Sequence, residues 1–181
     1  MLCGVVDAEI RVRDAAAADG EAIGEAHAEA WIAAYGHIFD PDFLRRAAEG
    51  RRSGWSHSVQ RLLAAPNILL VGEVNRRVKG FAHATPSPEA RRAEVCGFYC
   101  HPDAWGTGVA TQLMAKCLVA LDEDASEVFL WTPRDAQRAR HFYEKVGFHA
   151  TGQARAERLT DWMTDRVVEC PAVEYAVVLG S

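Results

Sequence analysis

The sequence has no apolar run approaching the roughly 18 residues that a membrane-spanning helix requires, so no such helix is expected. Its first fourteen residues, MLCGVVDAEIRVRD, lack the basic start and long apolar stretch of a secretion signal, and a cytoplasmic placement follows as the expectation. It has no internal repeat and no low-complexity tract. Positive charge is not in surplus: 20 Lys and Arg face 25 Asp and Glu, a formal net charge of −5, and neither half of the chain is basic. A nucleic-acid footprint is therefore not expected, and a cationic small molecule suits the balance better. The five cysteines, Cys3, Cys96, Cys100, Cys117 and Cys170, are odd in number and contain no Cys-x2-Cys pair, which fits neither a disulfide scaffold nor a zinc ribbon. Cys96 and Cys100 fall in one strand-like run, about 13 Å apart at Cα, too far for a disulfide. Seven histidines form no His-x3-His or His-Glu-x2-His, and there is no Gly-x-Ser-x-Gly, so no metal and no serine nucleophile are expected.

What is present is ordinary globular composition, 49% hydrophobic and 25% charged over 181 residues. That length suits one domain, 1–181, with residues 1–8 as an N-terminal extension. A short strand is expected at 8–12. Asp19 can cap a helix whose apolar face is Ile23, His27, Ala30, Trp31 and Ala34. Pro41 opens a second helical stretch through Phe43 and Leu44, and a further short helix over 55–64 ends at Pro66. Beyond Pro66 the period changes. Residues 67–74 and 78–85 read as a hairpin, and 93–100 as another strand. A helix follows with Val109, Leu113, Cys117 and Leu121 on one face, then a strand at 127–132. The next helix carries Ala139, Phe142, Tyr143 and Val146 and stops at Gly147. Late strands are expected near 148–154 and 173–179. The expected fold class is α/β, a central mixed, mostly antiparallel sheet with helices on both faces, in which 93–121 and the strand after it form a right-handed parallel crossover.

The strand, Gly-x-Gly turn and helix over 94–121 is the most informative segment. Gly106 and Gly108 permit a tight turn and leave room for a ligand beside the unpaired amides of the helix N-terminus, an arrangement that favours a phosphate or pyrophosphate. It is not a P-loop, because Val109, Ala110 and Thr111 stand where Lys-Ser/Thr is needed. It is not a dinucleotide fingerprint either. Thr111 occupies the third small position, and the next strand ends Trp131-Thr132-Pro133 with no ribose-binding acid.

Together with RDAQRARHFYEKVGF at 134–148, the segment EVCGFYCHPDAWGTGVATQLM resembles the GNAT family of N-acetyltransferases. The family's first motif, Gln/Arg-Gly-x-Gly-x-Gly/Ala, is matched by Trp105, Gly106, Thr107, Gly108, Val109 and Ala110. Its second, Asn-x-x-Ala-x-x-Phe-Tyr-x-Lys-x-Gly-Phe, is matched by Ala139, Phe142, Tyr143, Lys145, Gly147 and Phe148. Two positions depart from the pattern: Trp105 replaces Gln or Arg, and Ala136 replaces Asn.

The resemblance implies a GNAT-like fold and transfer of an acetyl group from acetyl-CoA, as co-substrate and without a metal, to a primary amine of a small molecule or peptide. It implies that Phe98, Tyr99 and Cys100 hold the pantetheine arm through backbone groups. The loop 105–110 then takes the phosphates, while Ala136, Ala139 and Phe142 border the cofactor. Tyr143 becomes the general acid towards the leaving sulfur and Glu94 the base, although the spacing of Phe142 and Tyr143 also suits plain packing and a strand-end Glu is commonly solvated. Trp31, Tyr35, Phe39 and Trp55, with Asp161, Trp162 and Asp165, are candidates for the acceptor side; Glu94 borders it too. A homodimer remains compatible. The alternative is a non-catalytic acyl-CoA-binding sensor or interaction module on the same fold.

Overall fold

The change of period at Pro66 marks the point where the chain enters its sheet. A computed structural model describes residues 8–87, 90–161, 164 and 166–180. The elements are β1 (Ile10–Asp14), α1 (Gly20–Tyr35), α2 (Pro41–Leu63), β2 (Ile68–Val74), β3 (Arg77–Ser87), β4 (Arg92–Cys100), α3 (Val109–Leu121), β5 (Glu127–Pro133), α4 (Gln137–Lys145), β6 (His149–Asp161) and β7 (Arg166–Val178). The order of strands and helices is the one the sequence implies once the two helical stretches after Pro41 are joined into α2. The first seven residues, most of the expected N-terminal extension, lie outside the described residues, as do Trp162, Asp165 and the side chain of Asp161.

The strands form one seven-stranded sheet in the order β1-β2-β3-β4-β5-β7-β6. Every pairing is antiparallel except β4 with β5, which run parallel. That single parallel pair is the consequence of the α3 crossover, since two parallel strands cannot be joined by a tight turn. One face of the sheet packs against α3 and α4 around Leu113, Met114, Cys117, Leu130, Tyr143 and Tyr175. The other face is covered by α1 and α2 through two aromatic clusters, one around Trp31, Tyr35, Phe39 and Phe43, the other around Trp55 and Phe81.

Four local expectations are corrected. The first strand is shifted to Ile10–Asp14, where it pairs with β2. Asp19 does not cap α1; its carboxylate accepts hydrogen bonds from both Arg13 Nη atoms, at 2.7 and 2.9 Å, and from the Ala16 N–H. The two helical stretches after Pro41 are one helix of 23 residues, capped by Asp40, whose carboxylate accepts the Phe43 N–H at 2.9 Å. Its polar middle conceals the continuity, because Arg52 there is held by carboxylates rather than by apolar contacts: Glu25 at 2.7 Å, Glu29 at 2.6 Å and Glu49 at 2.8 Å. Finally, β6 and β7 extend well beyond the expected ends. Arg155–Glu157 and Arg158–Glu169 ion pairs lie along the extension, whose β6 part is mostly exposed, while Leu159, Val168 and Cys170 turn towards the Trp31–Phe43 cluster.

The approach of α1 to α2 is close enough that a methyl group at Gly24 would collide with the Arg52 carbonyl oxygen, whereas one at Gly54, midway along α2, would meet nothing. Gly24→Ala should therefore lower stability by about 1–3 kcal/mol through overpacking, and Gly54→Ala should raise it by about 0.5–1 kcal/mol through helix propensity. Thermal or urea unfolding of the two variants checks this. Equal shifts would contradict the packing.

Candidate active site

β4 and β5 are paired over only three residues each, Arg92–Glu94 with Glu127–Phe129. Beyond that point they part. β4 remains paired to β3 and β5 to β7 along their outer edges. The separation begins at a β-bulge: the register passes from Val95 opposite Ala84 to Gly97 opposite His83, leaving Cys96 as the extra residue. A bulge bends its strand and ends pairing, which is the required effect. The opening is a cavity of about 510 Å³ lined on one side by Val95 to Cys100 and on the other by Leu130, Trp131 and Thr132. The residues facing each other across it keep backbone groups without a strand partner on that side.

The Gly106–Gly108 turn and the first residues of α3 close one end of the cavity. Both glycines lie in the left-handed region, φ +82° and +95°. Among the described residues the N–H groups of Gly106, Gly108, Ala110 and Thr111 have no acceptor within the protein, so four donors are left for an anion. Thr107 braces the turn by donating its hydroxyl to the Ala104 carbonyl at 2.8 Å, and Val109 is buried beneath it. These two residues support the loop rather than line the cavity. Trp105 is held by donation from its indole N–H to the Cys100 carbonyl at 2.9 Å. Its ring carries the Arg138 guanidinium at 3.7 Å, so a cation from the first turn of α4 reaches the head of the loop where the expected Gln or Arg is missing. Arg138, His141 and Lys145 all border the cavity; Arg138 and His141 are missed by sequence reasoning, which takes Lys145 only as a motif match. Their spacing along the second motif was the available signal.

Ala136, Ala139, Phe142 and Tyr143 form the α4 wall. Phe142 stacks on Phe98 at 5.3 Å. Tyr143 is buried and packs against Phe98, Phe142, Phe148 and Tyr175, yet its hydroxyl has no hydrogen-bond partner among the described residues. Burial, then the neighbouring Tyr99 and Cys100, holds its pKa well above the ordinary phenol value, so it stays protonated. Cys100 is buried at the end of β4, and desolvation pushes its thiol up to about 12. It is an inert thiol rather than a nucleophile.

The opposite wall comes from α1: Ala30, Ala34 and Tyr35, whose hydroxyl lies 3.4 Å from that of Tyr99. His37, just past the end of α1, contacts the Asp135 carbonyl at 3.0 Å and so ties this wall to the start of α4. Trp31 is one layer deeper, fully buried against Tyr35 and Phe39. Glu94 stands at the start of β4, half-buried and just outside the lining, which begins at Val95. Among the described residues no three His, Cys, Asp or Glu side chains gather as a metal site, and no helix is long and apolar enough to cross a membrane.

The site is thus a cleft between two parting parallel strands with a glycine turn and a helix N-terminus at its end. Residues 20–148 match the acetyltransferase (GNAT) family, and the chain belongs to it. It is similar to an uncharacterized N-acetyltransferase of Mycobacterium tuberculosis, 35% identical over 85 residues, 46% of this chain and 54% of that one. The match thus spans about half the length of that curated relative. In fold it is similar to the PaiA N-acetyltransferase of Thermoplasma acidophilum, solved in complex with coenzyme A (TM-score 0.75, 16% identity, 94% of this chain and 99% of that one). It is also similar to a GCN5-related N-acetyltransferase of Rhodopseudomonas palustris (TM-score 0.73, 16% identity, 97% and 99%).

The packing predicts an order of thiol reactivity. Exposed Cys96 should react with a maleimide before buried Cys100 and Cys117, whose thiols are both pushed up to about 12. Peptide mapping of the labelled native protein reads this out, and labelling of Cys100 as fast as Cys96 would contradict the burial.

Proposed function

We propose that the protein is an acetyl-CoA-dependent N-acetyltransferase that transfers the acetyl group directly to a primary amine of a small molecule or peptide. The observation that carries this reading is the parting of β4 and β5 in front of the amide-rich Gly106–Gly108 turn, with the unpartnered Tyr143 hydroxyl in the same cavity. The residues present fit the co-substrate. The four free amides suit its phosphates, and Arg138 adds a positive charge beside them. The inner-edge backbone groups of Phe98 and the Cys100 N–H, which alternate with Tyr99 turned towards β3, would suit the amide-bearing pantetheine arm as a further strand would. Ala136, Ala139 and Phe142 give that arm an apolar border.

Acetyl-CoA supplies an activated acyl thioester; the chain supplies position and protons. The acceptor nitrogen must be neutral, since a free alkylammonium with a pKa near 10.4 has no lone pair. As the nitrogen bonds to the acyl carbon the C–S bond breaks, and Tyr143 donates its proton to the departing sulfur. The surplus proton of the amine leaves through water, and a proton returned from water restores the Tyr143 phenol, so the cycle closes with CoA as the free thiol. Glu94, placed just outside the lining, would serve as base only through such a water. Cys100 takes no covalent part, because its protonated thiol is a poor nucleophile.

Two variants test this assignment. Tyr143→Phe should lower kcat by roughly 10²-fold, the low end of general-acid effects, with little change in CoA affinity. Because burial raises the Tyr143 pKa beyond the assay range, the limbs of the pH–rate profile should stay where they are. Unchanged kcat would remove Tyr143 from the chemistry. Gly108→Asp adds a side chain at φ +95° and a like charge beside the phosphates, and should abolish CoA binding in a protein that still folds. CoA binding with no CoA release for any amine would favour the sensor reading.

A further inference from the structure

The dipeptide Arg51-Arg52 on α2 has two contrasting fates. Arg52 faces outward and takes all three carboxylates in reach, Glu25, Glu29 and Glu49. Arg51 turns inward. Its guanidinium lies 3.5 Å over the Trp31 ring and donates from Nη1 to the Ala47 carbonyl at 2.8 Å. Among the described residues no carboxylate lies within ion-pair distance of it. A half-buried guanidinium has five N–H donors and is costly to desolvate without an anion.

The groups around it are donors or neutral. Trp55 donates its indole N–H to His27 Nδ1 at 2.9 Å, which leaves the imidazole proton on Nε2. His27 also packs against Tyr99 at 4.3 Å, and burial, then Arg51, holds its pKa well below the ordinary value, so it stays neutral. The hydroxyls of Tyr35 and Tyr99 meet at 3.4 Å. Both tyrosines also line the catalytic cavity, opposite the α4 wall that carries Tyr143. One cation, one imidazole N–H and two phenols thus neighbour one another on α1, α2 and β4 with no acid among them; the two phenols line the cavity, and Arg51 and His27 stand behind them.

On the reading that this cavity transfers an acetyl group to an amine, we infer that the acceptor is an amine that also bears a carboxylate, bound as a salt bridge to Arg51 with its amine towards Tyr143. A single guanidinium stacked on an aromatic ring matches the charge and planar fork of one carboxylate, whereas a phosphate dianion would call for a second cation. The site therefore opposes the preference for a purely cationic acceptor that the net charge of −5 suggests. The carboxylate has two sources, a free amino acid or the C-terminus of a short peptide.

The test compares matched substrates on the whole protein with acetyl-CoA: phenylalanine with phenethylamine, lysine with cadaverine, and a dipeptide with its C-terminal amide. Wild type should favour the carboxylated member of at least one pair by about tenfold in kcat/KM. Arg51→Met should remove that preference by lowering the carboxylated member alone, and Arg51→Lys should restore part of it. Preference confined to the amino acids, or extending to the dipeptide acid, separates the two sources. An equal loss for both members of every pair, or a wild-type preference for the uncharged members, would overturn the inference. Because Arg51 packs on Trp31, circular dichroism establishes that each variant is folded. Calorimetric binding of N-acetylphenylalanine and N-acetylphenethylamine provides a readout that needs no turnover. Should no amine be acetylated, a carboxylate preference in binding that Arg51→Met abolishes still supports the anion site, while its absence overturns it.

Discussion

Two parallel strands that pair for three residues and then separate are the constraint on which the rest of this structure depends. Each strand is secured on its outer edge, β4 by β3 and β5 by β7, so the gap between them costs no sheet integrity. The bulge at Cys96 turns β4 away, and the inner backbone groups remain for a ligand. The helix that follows must then reach the gap with its N-terminus. Gly72 in β2 allows this, since a methyl group there would stand 2.7 Å from the Val109 side chain in the first turn of α3. Loop, cavity and the Tyr143 wall are consequences of that opening rather than separate devices.

Charge is distributed around the opening in a way that net charge does not reveal. At the loop end, free amides are joined by Arg138, which reaches across from α4 to stack on Trp105. The substitution of Trp for a polar residue at that position thus exchanges a side-chain donor for a platform that holds a cation. On the α1–α2 side, carboxylates are drawn outward onto Arg52, and the inner surface retains Arg51 and neutral donors. A mildly acidic chain can in this way keep cationic groups close to the cavity, Arg138 on its lining and Arg51 behind the Tyr35–Tyr99 wall.

Much of this was legible in the sequence because it rests on local rules. The order of elements followed from the period change at Pro66, and the glycine turn from Gly106 and Gly108 standing between a strand and a helix. The two motifs placed Tyr143 and Phe142 on the wall that faces Phe98. What was not legible depends on distant partners. The continuity of α2 hinges on Arg52 meeting Glu25 and Glu29 from another helix, and no apolar spacing signals it. The length of β6 and β7 rests on the cross-strand Arg158–Glu169 ion pair and on Leu159, Val168 and Cys170 meeting the aromatic cluster of α1 and α2, partners far away in the chain. The inward turn of Arg51 and the stacking of Arg138 on Trp105 are both contacts between elements, invisible until the elements are packed.

On the proposed function, the gap between β4 and β5 and the turn beyond it receive coenzyme A. An amide-resolved NMR titration of the ¹⁵N-labelled protein with CoA tests it most directly. Saturable shifts are expected, concentrated on the amides of Gly106, Gly108, Ala110 and Thr111 and on β4 from Gly97 to Cys100. Saturable shifts confined to another surface, or none in a folded sample, would contradict it.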